Sequence, residues 1–163
     1  MRCRHSRTPE LAVLCLAAIA QLGCGSHCDN SGMASQASQQ CLTNVKQDGL
    51  GLLMYSQDYD ERFPPATAGW MDATVPYLKN NEDYQCPTVV ATNPNGYGYA
   101  FNSAVAGSPL SSITAPATTL MIYDSSNLAR NAVDALTSLP NPGRHSGLNN
   151  VCYADGHNGS LKP

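Results

Sequence analysis

The stretch over residues 41–57, CLTNVKQDGLGLLMYSQ, sets the fold class. Leu42, Val45, Leu52, Leu53 and Tyr55 recur at helical spacing and give one apolar face. Gly49 and Gly51 each weaken such a helix by on the order of 1 kcal/mol relative to alanine. A helix that keeps two glycines packs closely on a neighbour, and the rest of the chain offers a sheet. Phe63-Pro64-Pro65 stops the helix. Residues 70–80 (WMDATVPYLKN) read as a short helix, and residues 128–139 as a short helix or a loop. Strands are expected near residues 97–102, over 118–124 (TTLMIYD), and over 150–154 and 157–161. Asp155-Gly156 between the last two is a hairpin signal, because tight two-residue turns need positive φ. One long helix followed by short strands is α+β: an N-terminal helix packed on a small antiparallel β-sheet that ends in a C-terminal hairpin.

Upstream of this domain the character changes. Arg2, Arg4 and Arg7 precede a ten-residue apolar run, LAVLCLAAIA, over residues 11–20. A basic start, a short apolar core and small residues near a cleavage point describe a signal peptide over residues 1–23. Gly23-Cys24 resembles the lipobox of bacterial lipoproteins, which implies acylation of Cys24 and anchoring through its acyl chains. The family's usual aliphatic residue three places before the cysteine is here Gln21. Residues 24–35 are small and polar and read as a flexible tether, with Ser35 or Ser38 as candidate helix caps. The globular domain is expected over residues 36–163.

Composition narrows the function. Charged residues are 13% of 163 residues, and the formal net charge is −3. No run of Lys or Arg offers the clustered cations that nucleic acid needs, so nucleic acid is excluded as a partner. The P-loop, the dinucleotide fingerprint, H-E-x-x-H and G-x-S-x-G are absent from the sequence. After signal cleavage five cysteines remain: Cys24, Cys28, Cys41, Cys86 and Cys152. With Cys24 acylated, an even number is left, which in an exported domain favours two disulfides. A zinc site is the rival reading, though no C-x-x-C pair supports it.

The segments CLTNVKQ, GLGLLMY and DYDERFP, followed by VPYLKN and Cys86-Pro87, occur in an order that resembles type II secretion pseudopilin-like proteins. The end is more specific: Arg144-His145-Ser146-Gly147, then Asp155-Gly156-His157, resembles the H-x9-D-G signature of prepilin-type processing-associated proteins. The resemblance spans residues 41–161. It implies a pseudopilin-like fold, a Cys41–Cys86 disulfide, and structural roles for His145, Asp155 and Gly156. Cys28 with Cys152 is the second pairing considered. Two departures stand out: the long apolar prepilin helix is replaced by GSHCDNSG, and Asp48 occupies a position where the family usually carries an aliphatic residue. A buried carboxylate at Asp48 needs a partner.

These readings lead to a non-enzymatic cell-envelope protein, exported and lipid-anchored in the periplasm or at the cell surface. Its expected partners are the membrane and the envelope or secretion-system proteins, in type II secretion or pilus-like assembly. The alternative is an exported glycan- or metal-binding module. No cofactor is expected, with a divalent metal as the exception; its candidate ligands are Asp124, His145, Asp155 and His157. The competing reading of those four is a structural clasp in which His145 folds back on Asp155 or the turn, with Asp124 as a further partner. Asp58, Asp60 and Glu61 read as a solvated loop rather than a Ca2+ site. Ser125 and Ser146 lie in no nucleophile motif, which leaves Ser-His-Asp catalysis without support. Trp70, Tyr97, Tyr99, Phe101, Tyr123 and Tyr153 can build a glycan platform or fill the core.

Overall fold

The computed structural model describes residues 30–163. The expected signal peptide, Cys24 and Cys28 lie outside the described residues. The order is α1 (Asn30–Asp58), α2 (Trp70–Thr74), α3 (Pro87–Val90), β1 (Tyr99–Asn102), β2 (Leu120–Asp124), β3 (Val133–Asp134), β4 (Asn149–Tyr153) and β5 (Asn158–Leu161). This is α+β, one long helix with a five-stranded sheet in the order β3-β1-β2-β4-β5. No helix among the described residues is long and apolar enough to cross a membrane.

The helix begins at Asn30, inside the segment expected to be a tether, so Ser35 and Ser38 lie within it rather than at its cap. Its buried stripe runs through Cys41, Asn44, Val45, Asp48, Gly49, Gly51, Leu52 and Ser56, at the spacing of one helical face. Both glycines are explained by close approach. A β-carbon on Gly49 would stand 2.3 Å from Cys152 Sγ on β4, and one on Gly51 would stand 3.1 Å from Leu78 Cγ. The helix therefore rests on the sheet at glycine contact distance. Gly49→Ala, which in an exposed helix would gain about 1 kcal/mol, should instead lower stability by roughly 1–3 kcal/mol through overpacking. Urea unfolding measures this. The double variant Gly49→Ala/Cys152→Ala should recover most of the loss, because it removes the clashing sulfur.

The sheet is mixed, which corrects the expected antiparallel one. β2 pairs antiparallel with β1 and with β4, and β4 antiparallel with β5, but β3 runs parallel to β1, matching Phe101 with Val133. With β2 on one edge of β1, the backbone groups on its other edge still need partners. Phe101 N–H donates to Ala132 O, and Ser103 N–H donates to Asp134 O. The two-residue strand β3 lies in the segment read as helix or loop.

β4 divides its side chains between two faces. Cys152 and the following Ala154 join the cluster under α1, with Val45, Leu52, Trp70, Tyr99, Phe101 and Ile122. Val151 joins a smaller cluster on the other side, with Ala100, Tyr123 and Ala132, and Tyr153 packs against it. β4 and β5 are joined through Asp155-Gly156, where Gly156 takes φ +88°. Asn158 Nδ2 on β5 donates to Leu42 O, and Asn150 Nδ2 on β4 donates to Ser38 O, so the last strands are tied to the first helix.

Candidate functional site

Four distant segments meet between α1 and the sheet. Cys41 comes from α1, Cys86 from the residue that caps α3, Asp124 from the end of β2, and Arg144-His145 from the turn before β4. Local backbone explains each placement. Cys86 N–H donates to Tyr97 O at 2.8 Å, and Pro87 starts the helix after it. Ser146 and Gly147 take positive φ, and His145 N–H donates to Leu148 O at 2.8 Å, a tight bend that directs the imidazole inward.

Asp124 is the hub. Its side chain has no exposure; Oδ1 receives Arg144 Nη1 at 3.1 Å, and Oδ2 receives Asn150 N–H at 2.6 Å. The same Oδ2 lies 3.2 Å from His145 Nε2. Arg144 also donates from Nη1 to Gly98 O at 2.7 Å and from Nη2 to Ser125 O. His145 Nε2 reaches Cys86 Sγ at 3.8 Å. Cys41 and Cys86 are both free thiols in this structure. Cys41 Sγ, Cys86 Sγ and a ring nitrogen of His145 nevertheless all lie within 4.8 Å of one another.

The cluster sorts its own protons. The Cys41 hydrogen bond draws Cys86 down to about 4; burial opposes this, and His145 adds to it. That same Cys86 contact pushes Cys41 up, and burial adds to the rise. Burial works against a charge on His145, but its hydrogen bonds to Asp124 and Cys86 outweigh burial and raise it to about 9. The cluster thus favours the thiolate at Cys86 over Cys41 and favours the charged form of His145. This is not a nucleophile relay. A relay histidine faces its nucleophile and its carboxylate with opposite ring nitrogens, whereas here Nε2 faces both.

The other candidates fall elsewhere. Asp155 and His157 do not join His145 and Asp124. They pair with each other at 2.6 Å on the outer turn, so the expected fold-back of His145 onto Asp155 is replaced by pairing with Asp124. The reason is length: His145 precedes β4 and Asp155 follows it, and a five-residue strand spans about 17 Å. Ser125 Oγ is hydrogen-bonded to Ser138 Oγ at 2.6 Å, and Ser146 is exposed, so neither serves His145. Asp58 accepts from Tyr77 OH at 2.8 Å, and Asp60 and Glu61 are exposed. Trp70, Tyr99, Phe101 and Tyr123 are fully buried and cannot form a platform. The exposed aromatic surface is instead Tyr59, stacked on Tyr55 at 4.1 Å beside a cleft of about 330 Å³ that Asp60 and Arg62 also line.

The sequence reading gave Arg144 no role of its own and left His145 apart from the cysteines. An Arg-His pair before β4, facing a carboxylate that ends the most apolar strand, was the available signal. Asp48, flagged in the sequence, is fully buried on α1, and neither of its carboxyl oxygens has a hydrogen-bond partner. Burial, with the nearby Asp83 charge, holds its carboxyl well above the ordinary aspartate range. Comparison with protein-family models, curated proteins and solved structures finds no match.

Proposed function

We propose that the chain is a non-enzymatic cell-envelope protein, a pseudopilin-like domain that serves type II secretion or pilus-like assembly and is held to the membrane through an acylated Cys24. One observation carries the reading. The cluster residues Cys41, Cys86 and Asp124 have no exposure and His145 has 7%, so they lie where they join helix to sheet rather than where a substrate enters. A network that fixes the first helix to the last strands suits a domain whose task is to present a surface. The fold class, with a long N-terminal helix laid on a small sheet, agrees with this reading.

The test is a deletion strain complemented with the wild type or with Cys24→Ala. Deletion should reduce secreted protein or surface pili, and the wild type should restore them. Cys24→Ala should move the protein from the membrane to the soluble fraction. Unchanged secretion and piliation on deletion, or wild-type protein recovered soluble with an unmodified N-terminus, would overturn the reading. The alternative of an exported metal-binding module is favoured by the approach of two sulfurs and one imidazole in the core.

A further inference from the structure

We infer that the reduced Cys41–Cys86 pair, together with His145, is a binding site for a thiophilic divalent cation of the Zn2+ type. The geometry carries this. Tetrahedral zinc, with Zn–S near 2.3 Å and Zn–N near 2.0–2.1 Å, sets its ligand atoms about 3.5–3.8 Å apart. Cys86 Sγ and His145 Nε2 are 3.8 Å apart, and all three donor atoms lie within 4.8 Å of one another. Contraction by about an ångström at most completes the three edges. The donors are soft sulfur and imidazole, which select Zn2+ over Mg2+ or Ca2+.

The surroundings fit a bound dication. Asp124 holds a carboxylate 3.2 Å from the ligating nitrogen and is itself fixed by Arg144 and Asn150. Two thiolates, the Asp124 carboxylate, the Arg144 guanidinium and a dication sum to zero charge around a neutral imidazole. Because the sulfurs bind as thiolates and the imidazole as its neutral form, binding releases protons and is favoured by rising pH. The three donors are buried, and they leave one position of the tetrahedron without a protein ligand among the described residues. The site joins α1, the start of α3 and the turn before β4, three segments that otherwise meet through packing and hydrogen bonds. A disulfide between Cys41 and Cys86 would use the same two sulfurs, so the bridge and the metal exclude each other.

The test is a Co2+ titration of the full chain, purified and kept reduced without oxygen, followed by displacement with Zn2+. The expected result is the intense ligand-field spectrum of a tetrahedral thiolate complex, saturating at about one equivalent with release of protons, and bleached by Zn2+. Cys41→Ser, Cys86→Ser and His145→Asn should each abolish or strongly weaken it. Cys152→Ser, which removes a buried thiol outside the set, should leave it intact. Asp124→Asn, which removes a negative charge beside the site, should keep the spectrum but weaken binding. Absence of the thiolate spectrum in the reduced wild type would overturn the assignment. So would a spectrum that persists undiminished in Cys41→Ser and Cys86→Ser. The wild-type titration decides the question even where a variant fails to fold, and it is independent of whether the protein acts in secretion.

Discussion

Asp48→Leu should stabilise the protein, by roughly 1–3 kcal/mol near pH 4 and by more at neutral pH. The first part is the cost of burying a polar group with no hydrogen bond, since both oxygens of Asp48 are unpartnered at zero exposure. Leucine branches at the same atom and occupies similar space. The second part is ionisation. The folded-state value of Asp48 is raised, so the carboxyl stays protonated in the native protein at pH values where the unfolded chain has released its proton. Below the ordinary aspartate value near 3.9 both states are protonated and this contribution vanishes. Above it, the wild type loses about 1.4 kcal/mol per pH unit until the raised value is passed. The groups around Asp48 offer no rescue: Asp83 repels it, and Tyr84, Tyr99 and Cys152 are themselves pushed up by burial. Urea unfolding of both proteins from pH 4 to pH 8 measures the difference. A difference that does not widen with pH would show that Asp48 ionises freely.

Asp124→Ala should be the most damaging single change in the domain, lowering stability by about 3–5 kcal/mol, the usual cost of removing one partner from a buried ion pair. It leaves the Arg144 guanidinium, the His145 imidazole and the Asn150 N–H without their shared acceptor. Against a typical domain stability of about 5–15 kcal/mol, much of the folded population is at risk. Asp124→Asn, which keeps shape and one acceptor, should cost less. Measurement belongs in chelator, so that metal binding does not add to the difference. A loss below about 1 kcal/mol for Asp124→Ala would mean that Arg144 finds enough acceptors in the Gly98 and Ser125 carbonyls alone.

Much of this was readable from side-chain periodicity. The helix signal over residues 41–57 lies within α1, and TTLMIYD contains β2 and ends on the carboxylate that organises the core. Asp48 was legible as an anomaly because its position falls on the buried stripe. Other features were not legible. β3 has two residues and no pattern of its own; it exists because β1 has an edge to fill. The H-x9-D-G spacing reads as one unit, yet a strand separates its ends, so the spacing records two sites rather than a contact. The meeting of His145 with Cys41 and Cys86 depends on three segments far apart in sequence, and no local pattern encodes it.

The hydrogen bonds from Asn150 and Asn158 to the backbone of α1 bear on when this chain can fold. A nascent chain that has released α1, β1 and β2 still lacks β4, which packs beneath Gly49, and the Arg144-His145 turn, which pairs with Asp124. Contacts of such sequence separation form late and slowly. The core therefore closes only once the Arg144-His145 turn, β4 and β5 are available to pack beneath α1.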